Sequence, residues 1–411
     1  MKKYLLVLCF LLLVASVIAF FTLKTEGKLR TLPPDSISYK FSSTIKEEIK
    51  SGKPGANQFA AWEYASIGEY QAALLAWDDV AGPPRRLSAS DSLAFVALQP
   101  VDALSYILAR ARTERIIIIN EAHHNPLHRA FTASLLPGLA KLGFRYLAVE
   151  GLSERDSLLN ERGYPITETG YYTKEPQFGR LLRTAAQSGY TMVLYDYGAD
   201  HSGPMDAQIK SRETAQARNI QRILQADPEA KIVVHCGFSH VNEGPDGMVG
   251  QPAMAARLRA LTGINPFTID QTALTEAGTI GGEEAVYRLA KATNSSVFLN
   301  AQDEKPFAQA NHTMSVDVNV YHPRTKYRAG RPKWVFNVAY KPVPIVEPIR
   351  VGYPCLILAY ATSENLAQAI PVDIVELQGP QDNKSLSLNK GDFTLVAKGK
   401  GENSQTWTIK N

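Results

Sequence analysis

Ile116-Ile-Ile-Ile-Asn-Glu-Ala-His-His-Asn-Pro-Leu-His128 is the stretch whose reading decides the fold. Four consecutive isoleucines predict a strand buried on both faces, as in the middle of a parallel sheet. The chain then turns polar and delivers Glu121, His123, His124 and His128. Asn125 and Pro126 suit an N-cap and first helical position, and Phe131, Leu135, Leu139 and Leu142 form the apolar stripe of the helix that follows. A carboxylate and several imidazoles therefore sit where a central strand ends and a helix begins. In open α/β sheets that edge is where ligands bind.

Outward from this stretch the chain alternates. Strands are predicted at 115–120, 146–150, 191–196, 231–236 and 266–270, separated by helices at 126–142, 176–187, 205–225 and 251–262. This alternation predicts an α/β fold with a parallel or mostly parallel sheet and flanking helices over 113–344. Several predicted strands end in a functional group: Glu121 and His123, then Glu150, then Asp196, then His235 with Gly237 and His240. Groups at one edge of one sheet converge in space whatever their separation in sequence. The apolar stripe Ala217, Ile220, Ile223 and Leu224, continued one repeat back, reaches Arg212 and Glu213, which should point into the same edge. Each piece also has a plainer reading. Glu121 suits a helix cap, His124 and His128 suit first-turn surface positions, and His235 suits a core histidine.

With 411 residues, 45% apolar, 20% charged and a net charge of +4, the chain has an ordinary globular composition. No basic block stands out, so a nucleic-acid partner is not expected. Residues 1–22 read as a signal peptide or N-terminal membrane anchor: Lys2 and Lys3 precede the apolar run Tyr4 to Phe21, and Val17-Ile-Ala19 offers a cleavage site. An exported protein is expected, periplasmic, extracellular or membrane-anchored, touching the membrane through that segment if it stays uncleaved. Cys9 lies too near the start for lipid modification, and Cys236 and Cys355 are expected as buried free thiols.

Residues 23–55, with Pro33-Pro34 and Gly52-Lys-Pro-Gly55, read as a linker, and 56–112 as a helical N-terminal cap carrying Ala61, Tyr64, Tyr70, Leu74 and Trp77. Beyond the main sheet, 317–322 and 334–337 read as strands. Residues 345–411 read as a small, self-contained C-terminal β-sandwich-like domain serving attachment or stability.

Asn120-Glu-Ala-His123, Val149-Glu150, Arg212-Glu213 and Gly237-Phe-Ser-His240 resemble the superfamily that joins erythromycin esterases, ChaN-like haem-uptake proteins and Tiki/TraB metalloproteases. The resemblance covers about residues 113–272. The first element has Asn120 where Gly is usual. It implies an EreA/ChaN-like fold and a site at Glu121, His123, Glu150, Arg212 and His240.

Two chemistries suit these residues. His123 and His240 with Glu121 or Glu150 suit a divalent metal ion with an open position for water. Without a metal, His123 oriented by Glu150 suits a general base, with Arg212 stabilising an oxyanion. There is no Ser-centred nucleophile elbow. Asp196 and Tyr172 are expected to bind substrate, with the loop Gly151 to Glu175 as a cover. The expected function is hydrolysis of an ester or amide bond in a small molecule or peptide. The alternative, implied by the ChaN-like features, is binding of haem or iron at the cell surface.

Overall fold

A computed structural model describes residues 39–308, 314–328, 330–401 and 403–411. The expected N-terminal targeting segment lies outside them. Among the described residues no helix is long and apolar enough to cross a membrane.

The isoleucine strand is β2 (Ile116–Glu121), every residue of it buried. Its side chains divide by parity. Ile117 and Ile119 enter a core with Phe131, Leu135 and Leu139 of helix Pro126–Lys141 and Phe178, Leu181 and Leu182 of helix Pro176–Gln187. Ile116 and Ile118 enter the opposite core with Ala217, Ile220 and Ile223 of helix Met205–Ala226 and Met254 and Leu258 of helix Met254–Thr262. Burying each isoleucine contributes roughly 2 kcal/mol, and a strand so covered cannot lie at a sheet edge.

The sheet adds β1 (Gln99–Asp102), β3 (Tyr146–Val149), β4 (Thr191–Leu194), β5 (Ile232–Gly237), β6 (Phe267–Leu274), β7 (Ser296–Leu299) and β8 (Val318–Tyr321). Their order is β1-β7-β8-β6-β2-β5-β3-β4. Pairing is parallel from β8 through β4, and antiparallel where β7 meets β8 and β1. In register, Glu121 lies opposite Gly237, and Glu150 donates its backbone N–H to His235 O. The carboxyl ends of β2, β5 and β3 are therefore level.

The C-terminal region is not self-contained. After the short pair β9 (Tyr327–Arg328) and β10 (Arg331–Pro332), β11 (Lys341–Val343) pairs with β14 (Leu386–Leu388). A four-stranded antiparallel sheet holds β12 (Cys355–Ala361), β13 (Asp373–Leu377), β15 (Asp392–Gly399) and β16 (Ser404–Lys410), in the order β13-β12-β15-β16. Leu386 and Leu388 pack with one face, through Ile357, Leu395 and Ala397. N-terminal residues Tyr39, Ile45, Ala61, Tyr64 and Ala65 cover the other, against Leu356, Leu358 and Ile374.

Residues 39–55, expected as part of a linker, are thus tied down in part. Helix Ser42–Lys50 buries Ile45, because Phe41, Ile45 and Ile49 recur every four residues among the charges. The expected strand at 334–337 is instead a 3-10 turn, Lys333–Val335. Its Val335 carbonyl accepts from Arg180 and Ser387 rather than from a strand neighbour. Cys236 and Cys355 are both buried free thiols.

Candidate functional site

Two acid–imidazole clusters meet where β2, β5 and β3 end. The first centres on Glu121, which is almost fully buried. Its Oε1 accepts from His123 Nδ1 at 2.8 Å and Arg129 Nη2 at 2.7 Å. Its Oε2 accepts from Arg129 Nε at 2.7 Å and lies 2.9 Å from His235 Nε2. Burial opposes the Glu121 charge, but Arg129 and the two imidazoles hold the carboxyl well below its usual range. Arg129 also donates to the His123 carbonyl and to Glu175, which caps helix Pro176–Gln187 through the Gln177 and Phe178 N–H groups.

The second cluster centres on Glu150. Its Oε1 accepts from Arg212 Nη2 at 2.7 Å, and its Oε2 accepts the Gly237 N–H. Arg212 makes a bidentate pair with Asp196, with Nε–Oδ1 3.1 Å and Nη2–Oδ2 2.6 Å. Glu213 brings Oε1 within 2.8 Å of His240 Nδ1, while Glu150 Oε1 is 3.5 Å from His240 Nε2. Burial works against a charged His240, but the Glu213 and Glu150 carboxylates outweigh it and push the imidazole up to about 10. His240 is therefore an imidazolium at neutral pH. Arg212 Nη1, 3.2 Å from His240 Nε2, is then a second cation sharing Glu150 rather than a hydrogen-bond donor to that ring.

The clusters touch over Gly237. A β-carbon there would lie 2.5 Å from His123 Cε1, 2.6 Å from His123 Nε2 and 3.2 Å from Glu150 Oε2. Only a residue without a side chain lets His123 approach the end of β5 so closely. Phe238, next along, is in the left-handed region at φ 41°, a strained conformation for an aromatic residue. Its carbonyl accepts from Asn120 Nδ2 at 2.8 Å. Asn120 also donates to Asp270 and accepts from Gln271 N–H, so its amide fastens β2 to β6 and to the Phe238 turn. Asn120 thus carries three side-chain hydrogen bonds that glycine could not make.

Aromatic rings close the site. Tyr172 stacks on His123 at 4.1 Å, and Trp62 of helix Ala56–Ser66 meets both rings edge-on at 5.4 Å and 6.4 Å. Trp77 of helix Tyr70–Ala81 stacks on His124 at 4.1 Å. The most open flank is that of Arg212 and Asp196, whose side chains are 21% and 18% exposed against 7% for Glu150.

Glu121, His123, Glu150, Arg212, His240, Asp196 and Tyr172 thus all gather at one edge. Several roles differ from expectation. The acid that orients His123 is Glu121, not Glu150, because the two-residue spacing at the end of β2 returns the imidazole to its own strand's carboxylate. His124 and His128 are buried rather than surface residues. His128 Nδ1 accepts the Ala122 N–H at 3.0 Å, which folds the first helical turn back onto β2. Glu213 and His235 belong to the site. Arg129, Glu175, Trp62, Trp77 and Phe238 were not anticipated. Arg129 lies on the opposite side of its helix from the stripe Phe131, Leu135, Leu139 and Leu142, so its place in the site carried no sequence signal.

The donor arrangement does not suit a metal ion. Both Glu121 oxygens are saturated by guanidinium and imidazole donors, and the two His240 ring nitrogens face Glu213 and Glu150 at 2.8 and 3.5 Å. Among the described residues no three His, Cys, Asp or Glu side chains are grouped as metal ligands.

No family model matches the chain, and no curated protein matches it. Three solved structures are similar at low level. The type III effector HopBA1 is 14% identical over 55% of this chain and 97% of its own, with a TM-score of 0.32. A structure described as bacterial protein toxins is 16% identical over 49% of this chain and 45% of its own, at 0.28. The MARTX toxin effector domain RRSP from Vibrio vulnificus is 16% identical over 48% and 44%, at 0.26.

Proposed function

We propose that this protein is an exported hydrolase that activates water on His123 to cleave an ester or amide bond. The observation that carries the reading is the Glu121–His123 pair. With Nδ1–H held by a buried carboxylate at 2.8 Å, the Nε2 lone pair is left over, and it has no hydrogen-bond partner among the described residues. A water beside Nε2 gives that nitrogen its proton while its oxygen attacks the carbonyl carbon. The carbonyl electron pair becomes an oxyanion, which the His240 imidazolium and the Arg212 guanidinium stabilise. Collapse of the intermediate expels the alkoxide or amine, which recovers the proton from His123. Tyr172 and Asp196, beside the base and the guanidinium, would contact the substrate.

Export rests on the N-terminal sequence alone, and fractionation of expressing cells tests it. Full-length protein recovered in the cytosol would overturn that part. The haem alternative needs an axial imidazole or phenolate facing an apolar slot. The His123 Nε2 edge instead shares the space over Gly237 with the Glu150 carboxylate.

Purified protein is to be assayed against a panel of fluorogenic esters and peptide amides, with His123→Ala as control and metal content measured in the same samples. Hydrolysis that depends on His123 at substoichiometric metal is the expected result. Equal background from both proteins, or haem bound one-to-one through His123, would overturn the reading.

A further inference from the structure

A second imidazole on the same carboxylate has no role in the reaction as written. His235 lies in the middle of β5, where its neighbours Val233, Val234 and Cys236 are apolar and buried. An imidazole in that setting carries a desolvation cost that leucine would avoid. The cost is only half offset: Nε2 meets Glu121 at 2.9 Å, while Nδ1 is buried with no hydrogen-bond partner among the described residues. The ring's edge contact with Phe178, at 5.9 Å, would serve an apolar side chain equally well.

We infer that His235 is a positioning residue, which donates its Nε2–H to Glu121 and thereby sets how strongly that carboxylate holds His123. The inference rests on the reading of His123 as the base. Glu121 has four donors around two oxygens, and three of them come from Arg129 and His123. Arg129 fixes the plane of the carboxylate by its bidentate contact. His235 supplies the remaining donor and opposes Arg129 Nε on Oε2. With it in place, Oε1 is left to Arg129 Nη2 and His123, and the negative charge is divided between both oxygens. Without it, Oε2 has one donor fewer and more charge remains for His123 to meet. The His123 imidazolium then becomes more stable and its Nε2 a less ready donor in the second half of the reaction.

The unpartnered Nδ1 strengthens the argument. Neutral His235 has one N–H, and the carboxylate is the one acceptor at hand, so the tautomer is fixed as Nε2–H by Glu121 itself. Protonating Nδ1 would bury an unpaired donor. His235 therefore donates one hydrogen bond without adding a second full charge beside Arg129.

The test is nuclear magnetic resonance of full-length protein labelled with 15N and 13C at histidine, which requires no substrate. Wild-type His235 is expected as the Nε2–H tautomer and His123 as the Nδ1–H tautomer. In His235→Leu, the His123 Nδ1–H proton resonance should move downfield, as its hydrogen bond to Glu121 strengthens on loss of a competing donor. His235→Gln, whose amide can reach the same oxygen, should restore most of the wild-type position. A merely structural histidine predicts no such shift in the leucine variant.

Should His235→Leu fail to fold, the wild-type tautomer and the glutamine variant still decide. An Nδ1–H tautomer at His235, or an unshifted His123 in a well-folded leucine variant, would overturn the inference. Loss of hydrolysis with normal tautomers at both rings would count against the proposed reaction instead.

Discussion

Trp77 lies flat on His124, with ring centroids 4.1 Å apart and planes inclined by 13°. The tryptophan comes from an N-terminal helix, and the imidazole is the immediate neighbour of His123. His124 is buried, which together with the neighbouring His123 and Arg129 holds it well below its usual range and therefore neutral. A neutral ring stacks without giving up hydration of a charge. Trp77→Ala should lower stability by about 2 kcal/mol, less than the roughly 3–5 kcal/mol of a fully buried aromatic because Trp77 is half-buried. Urea denaturation measures this, and Trp77→Phe should recover more than half of the loss.

Gly237→Ala tests the contact between the two clusters. The φ of Gly237 is ordinary for any residue, so backbone strain is not the issue. The new methyl would instead fall 2.6 Å from His123 Nε2, and the imidazole must move off its place between Glu121 and Tyr172. Activity is expected to fall at least about 100-fold, the cost of an ångström-scale misplacement. Circular dichroism should remain that of the wild type.

The two buried histidines beside the site set an acid limit on stability. His322 accepts from Ser295 and donates to Gln271, and burial pushes it down to about 3. His128 is likewise held well below its usual range, burial first and the neighbouring imidazoles second. Unfolded histidine titrates near 6.5, so between about pH 6.5 and pH 3 the unfolded chain binds the extra protons and stability falls as pH falls. For His322 the loss should be about 2 kcal/mol between pH 7 and pH 5, and His128 adds to it in the same direction. Urea midpoints across that window check this, and His322→Gln should flatten the slope by one group's share.

The sheet and the edge where the acids and imidazoles gather were legible because both depend on local pattern. Ile116–Ile119 could only be buried on two faces, and a parallel sheet levels its carboxyl ends. Partner choice was not legible. Whether His123 turns to Glu121 or Glu150 depends on side-chain rotamers and on Arg129, which holds Glu121 in place. Trp77 reads as a helix-packing residue, because nothing in 56–81 shows that the helices carrying Trp62 and Trp77 lie over the site rather than beside it. The tail misled for the same reason. Alternation in 355–410 correctly marks strands, but does not say which element covers their second face.

Removing residues 345–411 should therefore not be neutral. Helix Ala56–Ser66, which carries Trp62, packs its other residues against Leu356, Leu358 and Ile374. The loop over the site and the helix after it are pinned to the same region: Ile166 bridges Ala369, and Arg183 of helix Pro176–Gln187 forms a bidentate pair with Glu364. Truncation after residue 344 should give protein that aggregates or exposes apolar surface, seen as strong binding of a hydrophobic dye. A soluble truncated form with full activity would show that the cover is dispensable.

The decisive variants are those of the two imidazoles taken together. In the proposed reaction His123 takes a proton and His240 stabilises the charge that appears when it is taken, so neither should work alone. His123→Ala and His240→Ala should each lower kcat by at least about 1,000-fold, and the double variant should cost little more than either, since groups acting as a unit are not additive. Arg212→Lys should also be damaging. An ammonium cannot span Asp196 and Glu150 as the planar guanidinium does, and Glu150 would lose its 2.7 Å partner. His240→Gln keeps hydrogen bonding but not charge, and should resemble the alanine variant if the imidazolium is what matters. His124→Gln, which touches neither carboxylate cluster, should be far milder. Each variant needs its melting temperature measured, because removing His240 leaves Glu213 and Glu150 facing one another without a cation between them. Well-folded His123→Ala and His240→Ala proteins with unchanged turnover would place the chemistry elsewhere on the sheet.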